Sequence, residues 1–154
     1  MKQFLRNAFA LTAMLLMSLC AKAGITEAGG WFEAAYAQWE PVANAKDYHV
    51  YVRPTGGTFK KLDRELVRQY PGYYRADAVG LKAGSYVLKI VPVDAGGNEM
   101  GSQEMTTNTL TVVAHDRNGF AHYGWTDGIG AYKNDGTLKD NARVIYVTAN
   151  TAKT

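Results

Sequence analysis

One cysteine stands in the whole 154-residue chain, Cys20, and it falls inside an apolar leader. Once that leader is removed no disulfide can form, so stability rests on burial. A mature chain of this size buries enough apolar surface for one modest core. The three histidines are scattered, at His49, His115 and His122, with no HxxxH or CxxC spacing. A zinc site has no ligand set to build on. Beyond residue 23 no apolar run is long enough to span a bilayer, so no membrane association is expected after processing. An excess of one charge is missing too. Lys2, Arg6 and Lys22 belong to the leader, which leaves fourteen of the seventeen basic residues against fourteen acidic ones. A nucleic-acid partner needs a basic stripe, and none is present.

The leader itself reads clearly. Lys2 and Arg6 are followed by a run from Phe9 to Cys20 that is almost wholly apolar, then by Ala21-Lys22-Ala23. Small residues at Ala21 and Ala23 occupy the two positions a signal peptidase reads, and cleavage after Ala23 is expected. Residues 1–23 are therefore assigned as a signal peptide and the protein as exported, to the periplasm, the outer surface or the medium. Lipidation at Cys20 is disfavoured, because Leu19 and Met17 depart from the lipobox pattern.

After residue 24 short alternating runs recur between Gly, Pro, Asn and Asp clusters, the pattern of an all-β sandwich or barrel. Phe32 to Val42 alternates, with Ala35, Ala37 and Trp39 on one face. Tyr48 to Arg53 follows, with Tyr48, Val50 and Val52 together. Thr58 to Leu62 is a short strand, 63–69 is ambiguous with a helical turn open, and Tyr73 to Val79 is extended again. Tyr86 opens a strand presenting Leu88, Ile90 and Pro92, and Thr106 to Ala114 is the last strand of the unit.

Three strings in this region carry a family resemblance. Trp39-Glu40-Pro41-Val42 ends one strand and Asp47-Tyr48-His49-Val50-Tyr51 starts the next. Leu81-Lys82-Ala83-Gly84-Ser85-Tyr86 forms the third. Together they resemble a fibronectin type III domain, in its second strand, third strand and tyrosine corner. The resemblance implies an immunoglobulin-like β-sandwich over 24–114, with Leu81, Gly84 and Tyr86 as structural residues and the Tyr86 hydroxyl bonded back to the backbone. It departs at the front, where the first strand is expected to be short, degenerate or missing.

A second resemblance lies in the tail. His115 to Phe120, Gly128 to Lys139 and Ala142 to Thr148 are similar to the lead-in of bacterial secreted pectate lyases, some of which carry a fibronectin-like module in front. The resemblance implies a linker over 115–143. It makes 144–154, with the apolar Val144-Ile145-Tyr146-Val147, the first strand of a truncated parallel β-helix. In that family calcium bridges the substrate carboxylate and a basic residue removes the α-proton, in a β-elimination on polygalacturonate. None of those residues can be placed here. No catalytic residue, metal ligand or cofactor is carried over, calcium is implied for the parent lyase domain only, and the missing C-terminal domain is the expected partner.

The remaining candidates are contacts. Trp31, Phe120, Tyr123, Trp125 and Tyr132 are aromatics suited either to stacking on sugar rings of pectic polysaccharide or to packing against another domain. Lys60, Lys61, Arg64 and Arg68 are cations suited to uronate carboxylates, although Asp63 and Glu65 interleave with them. Asp94, Asn98 and Glu99 surround a Gly-Gly turn and suit turn capping better than calcium. His115-Asp116 reads as a domain-boundary loop, and His49 as a solvent-face residue. The function expected is a non-catalytic accessory segment of a secreted pectate lyase. The alternative is a free-standing extracellular module that binds carbohydrate or protein.

Overall fold

The computed structural model describes residues 24–115 and 130–142. The expected leader, Phe120, Tyr123, Trp125 and the 144–147 segment lie outside the described residues.

The described chain is all-β, two antiparallel sheets packed face to face. Its strands are β1 (Ile25–Trp31), β2 (Ala34–Trp39), β3 (Asp47–Pro54), β4 (Lys60–Lys61), β5 (Val67–Tyr70), β6 (Tyr73–Val79), β7 (Gly84–Val93), β8 (Met105–Thr106) and β9 (Leu110–Val112). One sheet runs β1-β2-β6-β5. The other runs β4-β3-β7-β8, with β9 also on β7. The chain visits the first sheet, crosses to the second after β2, returns after β4 and crosses again after β6.

The period-two pattern decides which face is buried. Ala35, Ala37 and Trp39 of β2 face Ala76 and Ala78 of β6 inward, against Tyr48, Val50 and Val52 of β3 and Leu88 and Ile90 of β7. Small alanines on the first sheet leave room for one large group, Trp39. It packs edge-on to Tyr48 at 5.2 Å and stacks with Tyr74 at 6.1 Å. Such pairs add about 0.5–1.5 kcal/mol each beyond burial. The Tyr48 hydroxyl accepts the Val42 amide at 2.7 Å, which satisfies the buried end of the ring. Burial pushes the Tyr48 phenol pKa up.

Three expectations need correction. The first strand is neither missing nor degenerate: β1 pairs with β2 from Ile25↔Trp39 to Trp31↔Ala34, with one irregularity between Ile25 and Glu27. Its glycines disguise it. A Cβ on Gly30 would lie 1.8 Å from the Thr111 carbonyl oxygen. That close approach lets Val113 N donate to Trp31 O at 3.1 Å and Glu33 N to Val113 O at 2.9 Å, stitching the two sheets along one edge. Second, the 106–114 strand is broken. Thr107 Oγ1 accepts the Leu88 amide at 3.0 Å in place of a backbone carbonyl, so the ladder on β7 splits into β8 and β9. Third, the Thr58 to Leu62 strand shrinks to Lys60–Lys61. The ambiguous 63–69 stretch holds one 3-10 turn, Arg64–Leu66, before β5.

Candidate functional site

The tyrosine corner sits at one end of the sandwich. Gly84 opens β7 at φ 157°, and the Tyr86 hydroxyl donates to Lys82 O at 3.0 Å. Beside it, residues 130–142 form a small hairpin closed by Tyr132↔Leu138. Asn134 O accepts the Lys82 amide at 3.2 Å, and Lys60 Nζ meets Asp135 Oδ2 at 2.5 Å. Gly136, at φ 83°, lies close against Leu81, Leu62 and Val52, where a Cβ would be 3.2–3.5 Å from their methyls. Thus part of the stretch expected as linker packs on the end of the core. Burial pushes the Asp135 carboxyl up, but Lys60 and the hydroxyl and amide of Thr137 outweigh it and hold the pKa at about 2.

The outer face of the first sheet gathers a different set. Register places Glu27, Gly29 and Trp31 of β1 on it, with Ala34, Tyr36 and Gln38 of β2, Tyr73, Arg75, Asp77 and Val79 of β6, and Arg68 and Tyr70 of β5. Tyr70 and Tyr73 flank the Pro71-Gly72 turn, so they oppose each other across the hairpin. Their rings stack at 4.9 Å and 11°. Glu27 accepts hydrogen bonds from the Tyr36 hydroxyl at 2.8 Å and from Gln38 Nε2. Arg75 binds both oxygens of Asp77 at 2.7–3.0 Å and lies over the Tyr36 ring at 4.2 Å. The Asp77 contact raises the Arg75 pKa further, and the Glu27 contact raises that of Tyr36. Arg68 stands directly opposite Arg75 and has no ion-pair partner among the described residues. From Tyr73 to Trp31 the face runs six residues along the strands, roughly 20 Å, enough for several sugar rings.

The outer face of the second sheet is closed by its own side chains. Arg53 lies over Phe59 at 4.7 Å, and Lys89 sits between Phe59 and Tyr51 at 4.9 and 5.0 Å. Glu99 accepts from the Tyr51 hydroxyl and bonds His49 Nδ1 at 2.7 Å. Tyr51 is pushed up to about 12, by burial first and then by Glu99, whose own pKa is lowered by Tyr51 and His49. Asp94 Oδ1 accepts Gly96 N and Asn98 N at 2.8 and 2.9 Å, so its oxygens cap the turn. Among the described residues no group of three or more His, Cys, Asp or Glu is placed to hold a metal ion. A groove of about 590 Å³ lies between 24–28 and 104–108, with Glu27 on its rim.

No protein-family model matches this chain, and no curated protein does. Among solved structures it is similar to a β-1,2-glucanase from Parabacteroides distasonis, at 22% identity over 61% of this chain and 13% of that one, TM-score 0.43. It is also similar to CopC from Methylosinus trichosporium OB3b, at 14% identity over 63% of this chain and 99% of that one, TM-score 0.39. The chain thus spans about an eighth of the glucanase.

Of the aromatics singled out in the sequence, Trp31 is on the outer face and Tyr132 is packed against the core cluster, so the two do not form one platform. Of the cations, Lys60 and Arg64 are taken by Asp135 and Asp47, and Arg68 shares the tyrosine face. Tyr36, Tyr70, Tyr73 and Arg75 escaped the sequence reading. A signal for two of them existed, because residues flanking a two-residue turn pair across the hairpin. Among the described residues the three large exposed apolar ones are Trp31 (65%), Phe32 (51%) and Val113 (43%), grouped around the β1–β9 stitch.

Proposed function

We propose that this chain is an exported, non-catalytic, fibronectin type III-like module that belongs to a secreted pectate lyase and holds pectic polysaccharide on the outer face of its first sheet. The observation that carries the glycan reading is the stacked, half-buried Tyr70–Tyr73 pair beside the exposed Arg68. Aromatic faces pack against the apolar faces of sugar rings, and the tyrosine hydroxyls keep such a surface soluble without burial. A flat face of roughly 20 Å suits a polymer better than a small molecule. The strand order β1-β2-β6-β5 over β4-β3-β7 is the immunoglobulin-like order, which supports the module assignment. The link to a lyase rests on the residue strings of the tail.

Retention on immobilised polygalacturonate tests the glycan reading. The chain is expected to be retained, and Tyr73→Ala to be retained several-fold less; equal retention of the two proteins overturns it. A second reading is favoured by Trp31, Phe32 and Val113, whose exposed cluster suits docking against a protein surface. Loss of partner capture in Phe32→Ser with glycan retention intact would select that reading.

A further inference from the structure

We propose that Arg68 makes the tyrosine face selective for unesterified uronate chains over esterified or neutral ones. The inference rests on the glycan reading above and sharpens its ligand. It follows from the charge pairing of the face. Arg75 is already neutralised: Asp77 takes its Nε and Nη2, and its plane is laid on Tyr36. Elsewhere Lys60, Arg64, Lys89 and Lys133 each lie against a carboxylate, of Asp135, Asp47, Glu104 and Asp140. Arg68 is the exception on this face. It sits cross-strand from another arginine, an arrangement that costs stability when uncompensated, and the Asp77 carboxylate on this face is committed to Arg75.

A second carboxylate beside Arg68 would repeat the Arg75–Asp77 pairing. A guanidinium takes a carboxylate through two parallel N–H···O bonds, and Tyr70 and Tyr73 stand two residues along the same face to receive the ring that bears it. Glu27, the carboxylate without a cationic partner on this face, is three strands away, roughly 14 Å. That exceeds the ~8 Å screening length at physiological salt, so it does not cancel the attraction. A methyl ester removes the charge and one strong acceptor. Polygalacturonate is a homopolymer of the acid, so every ring along it offers Arg68 the same contact.

The experiment measures binding of the chain to polygalacturonate, to the same polymer fully methyl-esterified and to a neutral galactan, at 20 and 300 mM salt. Wild type, Arg68→Gln, Arg68→Lys and Tyr73→Ala are compared, with thermal unfolding as the folding control. The expected result is a roughly three- to tenfold preference for the acid form at low salt, weakened at high salt. Arg68→Gln abolishes the preference while keeping residual binding to all three, and Arg68→Lys keeps part of it, because an ammonium attracts without the fork. Equal binding of acid and ester by wild type, or an unchanged preference in Arg68→Gln, overturns the role of Arg68 and leaves the tyrosine platform standing. Absence of binding to every polymer, or indifference to Tyr73→Ala, overturns the platform and the Arg68 inference together.

Discussion

Gly30→Ala is expected to be among the most damaging single-methyl changes in this sandwich. The added Cβ would stand 1.8 Å from Thr111 O and 2.4 Å from Thr111 C, and both are backbone atoms of the facing strand. No rotamer relieves the clash. Restoring ordinary contact requires β1 and β9 to part by roughly 1.5 Å, which stretches the Val113–Trp31 and Glu33–Val113 bonds of 3.1 and 2.9 Å out of range. Two lost backbone bonds cost about 1 kcal/mol each. Residual strain adds about 1–3 kcal/mol. The sum, about 3–5 kcal/mol, is a large part of the ~5–15 kcal/mol that holds a domain folded. At about 4–8 °C per kcal/mol for a domain of this size, the melting temperature should fall by at least about 12 °C. Gly29→Ala is the matched control. Its new Cβ meets the Tyr36 ring at 2.9 Å, the far end of a side chain that can swing aside. Its cost should stay under about 1 kcal/mol. Thermal unfolding followed by near-ultraviolet circular dichroism reads both. A Gly30→Ala protein melting within about 3 °C of wild type would refute the stitched edge.

Tyr86→Phe removes the bond to Lys82 O and should cost about 1–1.5 kcal/mol, read as a shift in the urea midpoint with unchanged slope. Asp135 gives a pH signature. Its pKa is depressed in the folded chain, to about 2, from about 3.9 when unfolded. Its contribution is therefore full above about pH 4 and fades as pH falls toward 2. Hydrogen exchange at the Thr137 amide, which Asp135 Oδ1 accepts at 3.0 Å, should accelerate in that window and not in Asp135→Asn. The purified chain should release no unsaturated uronides from polygalacturonate with calcium; release would disclose an active site and overturn the non-catalytic reading.

Alternation in the sequence was enough to identify the all-β class and the inward sets of β2, β3 and β7, because period-two burial is a local property: whichever strand pairs next to it, Trp39 or Val50 must leave water. The turn at Asp94–Asn98 was legible for the same reason, since an Asp bonding amides two to four residues ahead needs no distant partner. Three features were decided only by tertiary contact. Gly30 looks like a strand breaker until Thr111 comes within reach, and Gly136 looks like a free turn until Leu81 and Leu62 lie beneath it. The tyrosine face is the third case. The Pro71-Gly72 hairpin sets Arg68 opposite Arg75 locally, but only the pairing of β6 with the distant β2 lays Arg75 over Tyr36 and completes the face. Which groups of other strands come to lie beside these two guanidiniums is not encoded locally, because it depends on the pairing of strands far apart in the chain.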